Sequence, residues 1–173
     1  MYKLWKRGIS LLAMLLLFPF SGQSQVKNPW LRGQPRPVPL LIIAHRGASG
    51  YAPENTLAAF EKGIRLGAHM FELDVHFSKD GTLVVVHDDS LVRCSNVKKL
   101  FPDRAPYWVS DFTWAEIQTL DAGNWYVEEM EKSPHDRQMY LRSITDEEKK
   151  SWISADDWKL YRSGQIKHPA LEE

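Results

Sequence analysis

Apolar residues fall into short runs along the central part of the chain. Residues 38–44 form an unbroken apolar run, which is typical of a strand buried on both faces in a parallel sheet. Residues 55–67 follow, with Leu57, Phe60 and Ile64 at helical spacing. This spacing predicts a helix whose buried face carries these three side chains.

Two further strand patterns follow the helix, at residues 69–77 and 82–86. Strand, helix and strand form a βαβ unit, from which α/β sheets and barrels are built. Between the two patterns, Asp80-Gly81 is a signal for a tight turn. If these two residues alone form the loop of an antiparallel hairpin, counting outward places Asp74 opposite His87. A crossover to a parallel strand would remove this register.

The periodic signals weaken after residue 87. Residues 111–120 predict a short helix, with Asp111 or Thr113 as its cap and Glu116 completing a Thr-x-x-Glu capping box. Residues 128–168 are polar and lack a strong period, so we interpret them as an insertion with one or two short helices. A solvated surface excursion is the simpler interpretation of this segment, and a substrate lid is the alternative.

The first residues have the layout of a secretory signal peptide. Three basic residues precede an apolar run at residues 9–20, and small and polar residues follow at 21–24. The run is shorter than the ~20 residues that a membrane-spanning helix needs, so no stable span is expected after cleavage. We predict that residues 1–24 are removed and that the protein is secreted or periplasmic, with an uncleaved interfacial anchor as the alternative. Residues 25–37, which hold three prolines, predict an extended lead-in.

Charge and cysteine content exclude several classes of function. The chain has 22 basic and 22 acidic residues, and removal of residues 1–24 leaves 19 basic and 22 acidic residues. A mature chain with this acidic excess lacks the basic surface that nonspecific nucleic-acid binding requires. Cys94 is the only cysteine, so no intramolecular disulfide can form, and we expect a buried thiol without a catalytic role.

Acidic residues and histidines occur near the ends of these strands. Glu72 and Asp74 are two positions apart in a strand pattern and therefore point to the same face. Two like charges there are costly unless a partner neutralises them, and hard oxygen ligands favour Mg²⁺ or Ca²⁺; a solvated strand end is the alternative explanation. His45 and His87 each follow an apolar strand, where sites gather in α/β folds. Two such histidines with an acidic pair between them favour a catalytic site over a structural role.

Three separated segments carry a family resemblance: AHRGASGYAPENTLAAF, FELDVHFSKDGTLVVVHDDSLVRCSN and VSDFTWAEIQTLDAGNW. Together they resemble the N-terminal half of a glycerophosphodiester phosphodiesterase. That family consists of TIM-barrel hydrolases that cleave glycerophosphodiesters into an alcohol and glycerol phosphate, with two acid–base histidines and a divalent cation, often Ca²⁺ or Mg²⁺. The resemblance implies an α/β protein of the TIM-barrel type, (β/α)8, of which residues 38–173 contain only the N-terminal part.

The resemblance also implies roles for six residues. These are acid–base catalysis for His45 and His87, substrate binding for Arg46 and Glu54, and metal binding for Glu72 and Asp74. The residue types suit the reaction, because a guanidinium offers a planar fork to phosphate oxygens and imidazole exchanges protons near neutral pH. The implied partner is a small glycerophosphodiester, and no nucleic-acid partner is expected.

The chain departs from the family in its length. About 149 residues remain after the predicted cleavage, whereas a TIM barrel typically has ~250. The family's third acidic metal ligand lies on a later strand, and no candidate for it precedes Glu173. We therefore expect a truncated barrel with exposed sheet edges through which copies self-associate. A fragment without turnover and a cyclising or phospholipase-D-like phosphodiesterase are the alternative functions.

Overall fold

A three-stranded sheet forms the first part of the fold. The computed structural model describes residues 40–172 and the backbone of Leu16–Leu17; the predicted signal peptide and lead-in otherwise lie outside the described residues. Strands β1 (Leu16–Leu17), β2 (Ile43–His45) and β3 (Met70–Glu72) lie in the order β1-β3-β2. β1 is antiparallel to β3, whereas β2 and β3 are parallel and are connected by helix α1 (Leu57–Arg65). The predicted βαβ unit is thus confirmed.

Helix α1 is capped by Thr56 and buries only part of its predicted face. Thr56 Oγ1 accepts a hydrogen bond from a backbone amide of the first turn. Phe60 stacks on Phe71 of β3 with ring centroids 4.7 Å apart, whereas Leu57 and Ile64 are about half exposed. The prediction that Leu57 and Ile64 are buried is wrong because both lie on a flank of α1 that the described residues leave open.

The predicted strand at residues 69–77 is interrupted in the middle. It forms β3 and a second strand, β4 (Val75–Phe77), with Leu73 and Asp74 between them. At the break, Asp74 N donates to Asn55 Oδ1 (3.4 Å) and Asn55 Nδ2 donates to Asp74 Oδ2 (3.1 Å). The side chain of Asn55 thus satisfies the backbone N–H of Asp74, which a neighbouring strand would otherwise pair, and also holds its carboxylate.

Strands β4 and β5 (Leu83–Val85) form an antiparallel hairpin, as predicted, but the predicted register is wrong by one residue. Val75 pairs with Val85. Val86 N then donates to Asp74 O (2.9 Å), so Asp74 lies opposite Val86 and not opposite His87. A shift of one residue turns a side chain to the other face of its strand, which changes the surroundings of every residue in the hairpin.

The loop of this hairpin explains the different register. Gly81 has φ 90°, and Ser78 N donates to Thr82 O (2.9 Å) across the base of the loop. Ser78 Oγ also accepts from Thr82 N (2.9 Å) and donates to Asp80 Oδ1 (2.6 Å). The loop therefore contains three residues rather than two, because Ser78 and Thr82 form its closing pair.

Strand β2 of the three-stranded sheet is more exposed than strand β5 of the hairpin. Ile43 of β2 is 51% exposed, whereas Val84 of β5 is fully buried. Among the described strands, β2 pairs only with β3. The expectation of a strand buried on both faces is therefore wrong for β2, because the described residues leave the side chain of Ile43 about half exposed.

Short helices make up the rest of the described chain. They are α2 (Val97–Leu100), α3 (Trp114–Ile117), α4 (Asn124–Glu131), α5 (Asp146–Trp152) and α6 (Ala155–Tyr161), with 3₁₀ turns at Val109–Asp111, Pro134–Asp136 and Met139–Leu141. α3 is a shortened form of the helix predicted at residues 111–120, and its capping box between Thr113 and Glu116 is confirmed. None of the helices in the described residues is long and apolar enough to cross a membrane.

Residues 128–168 pack into a core instead of running over the surface. Leu141, Ile153 and Tyr161 are buried together with Tyr126 of α4. The predicted short helices are confirmed as α5 and α6, whereas the expectation of a solvated excursion is wrong. The segment has no strong period because its helices are short: α6 buries only Tyr161, and α5 buries none of its own side chains, since Ile153 directly follows it.

Candidate functional site

The chain turns sharply directly after β2. Arg46 has φ 57° and Gly47 has φ 78°, both in the left-handed region. A Cβ atom at position 47 would lie 2.7 Å from the carbonyl carbon of Ala59, so glycine allows the turn to contact α1. Asn55 also has a positive φ, 55°, and its N donates to Arg46 O (3.0 Å). Unusual backbone conformations at neighbouring non-glycine residues are typical of functional sites.

Arg46 lies among three carboxylates. Its backbone N donates to Glu72 Oε2 (3.1 Å), its Nη1 donates to Glu54 Oε1 (3.2 Å), and its Nε lies 3.4 Å from Asp74 Oδ2. Glu72 and Asp74 therefore reach the same residue, as their spacing predicted, although the strand breaks between them. A guanidinium has five N–H groups, and only one of them, on Nη1, makes a hydrogen bond here; Nε is buried without a hydrogen-bond partner among the described residues, although it lies close to the charge of Asp74.

His45 is the more accessible of the two predicted acid–base residues. Its side chain is 65% exposed at the end of β2, and its Nε2 lies 3.8 Å from Glu72 Oε2. That distance is too long for a hydrogen bond but allows electrostatic attraction between the two side chains. The imidazole therefore faces solvent next to the acidic pair.

His87 is held by the residue that follows it. Its Nδ1 lies 2.6 Å from Asp88 Oδ1, and Arg93 Nε donates to Asp88 Oδ2 at 2.6 Å. Burial raises the pKa of Asp88, but hydrogen bonds from Arg93 and His87 outweigh this effect and lower it to about 2. A charged Asp88 accepts the Nδ1–H of the imidazole, which leaves Nε2 to exchange a proton with a reacting group.

Glu54 lies beneath these residues, with its side chain 1% exposed. Arg93 donates to both carboxylate oxygens, at 2.6 Å and 3.0 Å, and Tyr140 Oη donates to Oε2 at 2.5 Å. Burial raises the pKa of Glu54, but the hydrogen bonds from Arg93 and Tyr140 and the charge of Arg46 bring it below its usual value. Glu54 thus supports Arg46 and Arg93 and has little surface left with which to touch a substrate.

These contacts join all six predicted residues into one network. One branch connects His45, Glu72, Arg46, Asp74 and Glu54. The other branch runs from Glu54 through Arg93 and Asp88 to His87. The structure therefore brings together residues that are up to 42 positions apart in the sequence, between His45 and His87.

Sequence reasoning missed five members of the network: Asn55, Asp88, Arg93, Gln138 and Tyr140. Asn55, Asp88 and Arg93 lie inside the motifs that carry the family resemblance, so their positions contained a signal. Tyr140 lies 86 positions from Glu54, in the segment without a periodic pattern. Only the tertiary structure identifies it.

Glu72 and Asp74 are the residues that could hold the cation implied by the resemblance. Within residues 40–172, no group of three or more histidine, cysteine or acidic side chains is arranged to bind a metal. Mg²⁺ is often held by one or two carboxylates, with water and substrate phosphate as its other ligands. Two carboxylates near one arginine could serve in this mode, and Ca²⁺, which takes about six to eight oxygen ligands, would likewise need oxygens beyond this pair.

Two buried titratable residues contribute no hydrogen bond to the network. Cys94 is buried, which raises the pKa of its thiol and makes it a poor nucleophile, as expected. His168 is 1% exposed, and neither ring nitrogen has a hydrogen-bond partner among the described residues. Burial lowers the pKa of His168 to about 4, so its imidazole is neutral at pH 7.

Known proteins similar to this chain come from the family that the motifs indicate. The model of the glycerophosphoryl diester phosphodiesterase family matches residues 45–159. The chain is 44% identical over 89 residues to a glycerophosphodiester phosphodiesterase of Bacillus subtilis, covering 51% of this chain and 28% of that protein. It is 37% identical over 134 residues to human glycerophosphoinositol inositolphosphodiesterase, covering 73% of this chain and 25% of that protein.

A solved structure supports the same fold. The crystal structure from Silicibacter pomeroyi assigned to the glycerophosphoryl diester phosphodiesterases superposes with a TM-score of 0.51 at 26% identity. The superposition covers 79% of this chain and 39% of that one. The chain therefore has part of a TIM-barrel fold and spans little more than a quarter of the two relatives named above. Because the family match extends over residues 45–159 and includes all six predicted site residues, the chain belongs to the glycerophosphoryl diester phosphodiesterase family.

Proposed function

We propose that this chain supplies acid–base and phosphate-binding residues for the metal-dependent hydrolysis of glycerophosphodiesters to an alcohol and glycerol 3-phosphate. The observation that carries the proposal is the contact network that joins both histidines to Arg46 and to the acidic pair. Membership of the family supports the substrate class. The layout of residues 1–24 supports a secreted or periplasmic location.

Arg46 is the proposed binding group for the phosphate. A phosphodiester carries a negative charge that repels nucleophiles, and a fixed cation beside it stabilises the additional charge of the transition state. Glu54 and Asp74 fix the plane of the Arg46 guanidinium, whose other N–H groups donate to phosphate oxygens. A divalent cation bound by Glu72 and Asp74 would add Lewis-acid stabilisation of the same charge.

His45 and His87 are the proposed acid–base pair. One imidazole removes a proton from the attacking oxygen, and the other donates a proton to the departing alkoxide. Asp88 fixes the orientation of His87 and the tautomer that presents Nε2. The exposure of His45 allows it to reach a substrate that approaches from solvent.

The proposal is tested by glycerol 3-phosphate release from glycerophosphocholine, with the chain first treated with a chelator and then supplied with Mg²⁺ or Ca²⁺. We expect release only with added metal, and we expect His45→Ala and His87→Ala to lower it by about 10²–10⁴, the usual share of acid–base catalysis. His135→Ala is the matched control, because His135 is 92% exposed and lies in the 3₁₀ turn at Pro134–Asp136.

Each result has a defined meaning for the proposal. No release from soluble, folded protein would contradict the hydrolytic function and favour a fragment without turnover. Release that resists the chelator would remove the metal from the reaction. A cyclic phosphate among the products would favour the cyclising alternative over hydrolysis. Near-normal rates in either histidine variant would contradict the assigned acid–base pair.

A further inference from the structure

The side chain of Arg93 has all of its donors engaged. Nε and Nη2 donate to the two oxygens of Asp88 at 2.6 Å and 3.0 Å. Nη2 and Nη1 donate to the two oxygens of Glu54 at 2.6 Å and 3.0 Å. The remaining contact is Nη1 to Gln138 Oε1, at 3.0 Å. These five contacts use all five N–H groups of the guanidinium. Glu54, Asp88 and Gln138 together therefore fix the position of Arg93.

Tyr140 contributes a further donor to Glu54. Its Oη donates to Glu54 Oε2 at 2.5 Å. Burial and then the charge of Glu54 raise the pKa of Tyr140, so the hydroxyl keeps its proton and remains a donor. Glu54 therefore receives neutralising contacts from Arg46, Arg93 and Tyr140, which is what a buried carboxylate requires to stay charged.

Gln138 and Tyr140 are themselves held in place by the segment that contains them. Gln138 N donates to Glu129 Oε2 of α4 (2.9 Å). Tyr140 belongs to the 3₁₀ turn Met139–Leu141, whose Leu141 is fully buried in the core of residues 128–168. The two side chains therefore reach the site from a rigid part of that segment and not from a free loop.

We infer that the segment of residues 128–168 supplies positioning residues for His87. Tyr140 and Gln138 hold the Glu54–Arg93 pair, and Arg93 in turn fixes Asp88 against the Nδ1–H of His87. The inference rests on the proposed function for its effect on catalysis. The segment thereby has a positioning role that differs from both interpretations of its sequence, a solvated surface excursion and a substrate lid.

We use the term relay for the series of contacts from Tyr140 through Glu54, Arg93 and Asp88 to His87. The relay acts on the tautomer and orientation of the His87 imidazole. Without the Tyr140 hydroxyl, Glu54 Oε2 keeps only its bond from Arg93 Nη1, so Arg46 and Arg93 alone hold the carboxylate and its orientation is less fixed. The orientation of the Arg93 guanidinium is then less fixed, and its two hydrogen bonds to Asp88 weaken. An Asp88 that is no longer fixed accepts Nδ1–H for less of the time, so the Nε2–H tautomer of His87 becomes more populated. That tautomer has no lone pair on Nε2 with which to accept a proton.

The first test measures the tautomer of His87 in the whole chain and does not require turnover. Imidazole ¹⁵N shifts report which ring nitrogen carries the proton in neutral histidine, and the His87 signals are assigned by their loss in His87→Gln. We expect Nδ1–H in the wild-type chain and a raised fraction of Nε2–H in Tyr140→Phe. Tyr161→Phe is the matched control, because Tyr161 Oη in the same segment bonds Tyr51 O (3.2 Å) and not the relay.

The second test measures coupling between Tyr140 and Arg93 in glycerophosphocholine hydrolysis. We expect Tyr140→Phe to lower kcat by about tenfold with KM changed less than about twofold, as for residues that orient a catalytic group. In an Arg93→Lys background, Tyr140→Phe should have no further effect, because the path to Asp88 is already broken.

The results separate this inference from the proposed function. An unchanged His87 tautomer in a folded Tyr140→Phe chain would overturn the inference, as would an undiminished effect of Tyr140→Phe in the Arg93→Lys background. If the wild-type chain shows no hydrolysis but Tyr140→Phe still shifts the tautomer, the proposed function fails and the positioning role stands. Circular dichroism and the thermal midpoint confirm that each variant is folded.

Discussion

At the scale of single residues, Arg46 connects a backbone turn with the chemistry of the site. Its left-handed conformation turns the chain at the end of β2 and brings its own N–H to Glu72. Its side chain meets Glu54 and Asp74. The turn and the proposed phosphate site are therefore parts of one local arrangement, in which the next residue, Gly47, contacts α1.

Gly47→Ala is predicted to destabilise the fold more than Gly81→Ala does. Both glycines have positive φ, but a Cβ at Gly47 would lie 2.7 Å from Ala59, whereas a Cβ at Gly81 would meet nothing within 4 Å. The left-handed backbone costs about 1–2 kcal/mol in both variants, and the contact with α1 adds about 1–3 kcal/mol for Gly47. Urea unfolding of the two variants measures the difference, and equal losses would contradict the close contact.

The buried His168 predicts a loss of stability in mild acid. Its pKa is lowered by burial from 6.5 to about 4, so the unfolded chain binds a proton more readily than the folded chain between these values. Stability from this residue is complete above pH 6.5 and is lost as the pH falls towards 4, by about 2 kcal/mol at pH 5.

His168→Leu should remove most of this pH dependence. The variant keeps an apolar side chain of similar size in the same buried position and has no proton to bind. Urea unfolding at pH 7.5 and pH 5 compares it with wild type and with His135→Leu, in which an exposed histidine is lost. A wild-type chain whose stability does not change between these pH values would contradict the prediction. Asp88, whose pKa is lowered to about 2, acts only at lower pH.

At the scale of elements, α1 connects the sheet to the helical segment of residues 128–168. One side of α1 carries Phe60 against Phe71 of β3. Lys62 lies on the same helix and bonds Asp157 of α6 at 2.6 Å, with side chains 7% and 18% exposed. Replacing one member of an ion pair that is so little exposed to solvent lowers stability, because the other charge stays buried without a partner.

Lys62→Met is predicted to lower the free energy of unfolding by about 2–4 kcal/mol, since it leaves Asp157 without its cation. The loss falls in the lower part of the usual range because Asp157 still accepts from Ser154 N and Oγ. Lys159→Met, an exposed lysine of α6, is the control and should change stability by less than about 0.5 kcal/mol. Similar losses in both variants, measured by urea unfolding, would show that the buried pair contributes little.

At the scale of the whole molecule, the described residues leave apolar side chains exposed on the β2 and α1 side. Leu41 and Ile43 are 53% and 51% exposed at β2, and Leu57 and Ile64 are 48% and 45% exposed on α1. No other strand in the described part of the chain pairs with the second edge of β2, which adds backbone groups to this surface. Exposed apolar surface beside a strand edge favours association with another chain.

We predict that the chain self-associates through this side and that Ile43→Lys weakens the association. A charged side chain on an edge strand opposes pairing with a second strand. Leu100→Lys is the control, because Leu100 is 44% exposed at the end of α2. Sedimentation velocity over a range of concentrations should shift towards monomer for Ile43→Lys only. Identical sedimentation of wild type and Ile43→Lys would contradict the prediction.

The amino-acid sequence by itself determined the local parts of this protein. The βαβ unit, the Thr113 capping box, the antiparallel hairpin and the shared direction of Glu72 and Asp74 follow from periodicity and spacing, because they depend on residues a few positions apart. The family was also readable, since its motifs are continuous stretches of sequence, and the six residues predicted for the site lie within those motifs.

Only the tertiary structure decided which of these parts contact each other. The buried face of α1 is set by its contacts with β3 and α6. Tyr140 joins the site across 86 positions without any local pattern. Such contacts depend on the packing of distant elements, which periodicity does not encode. The sequence therefore predicts the site residues, while the packing of the chain determines which other residues hold them in place.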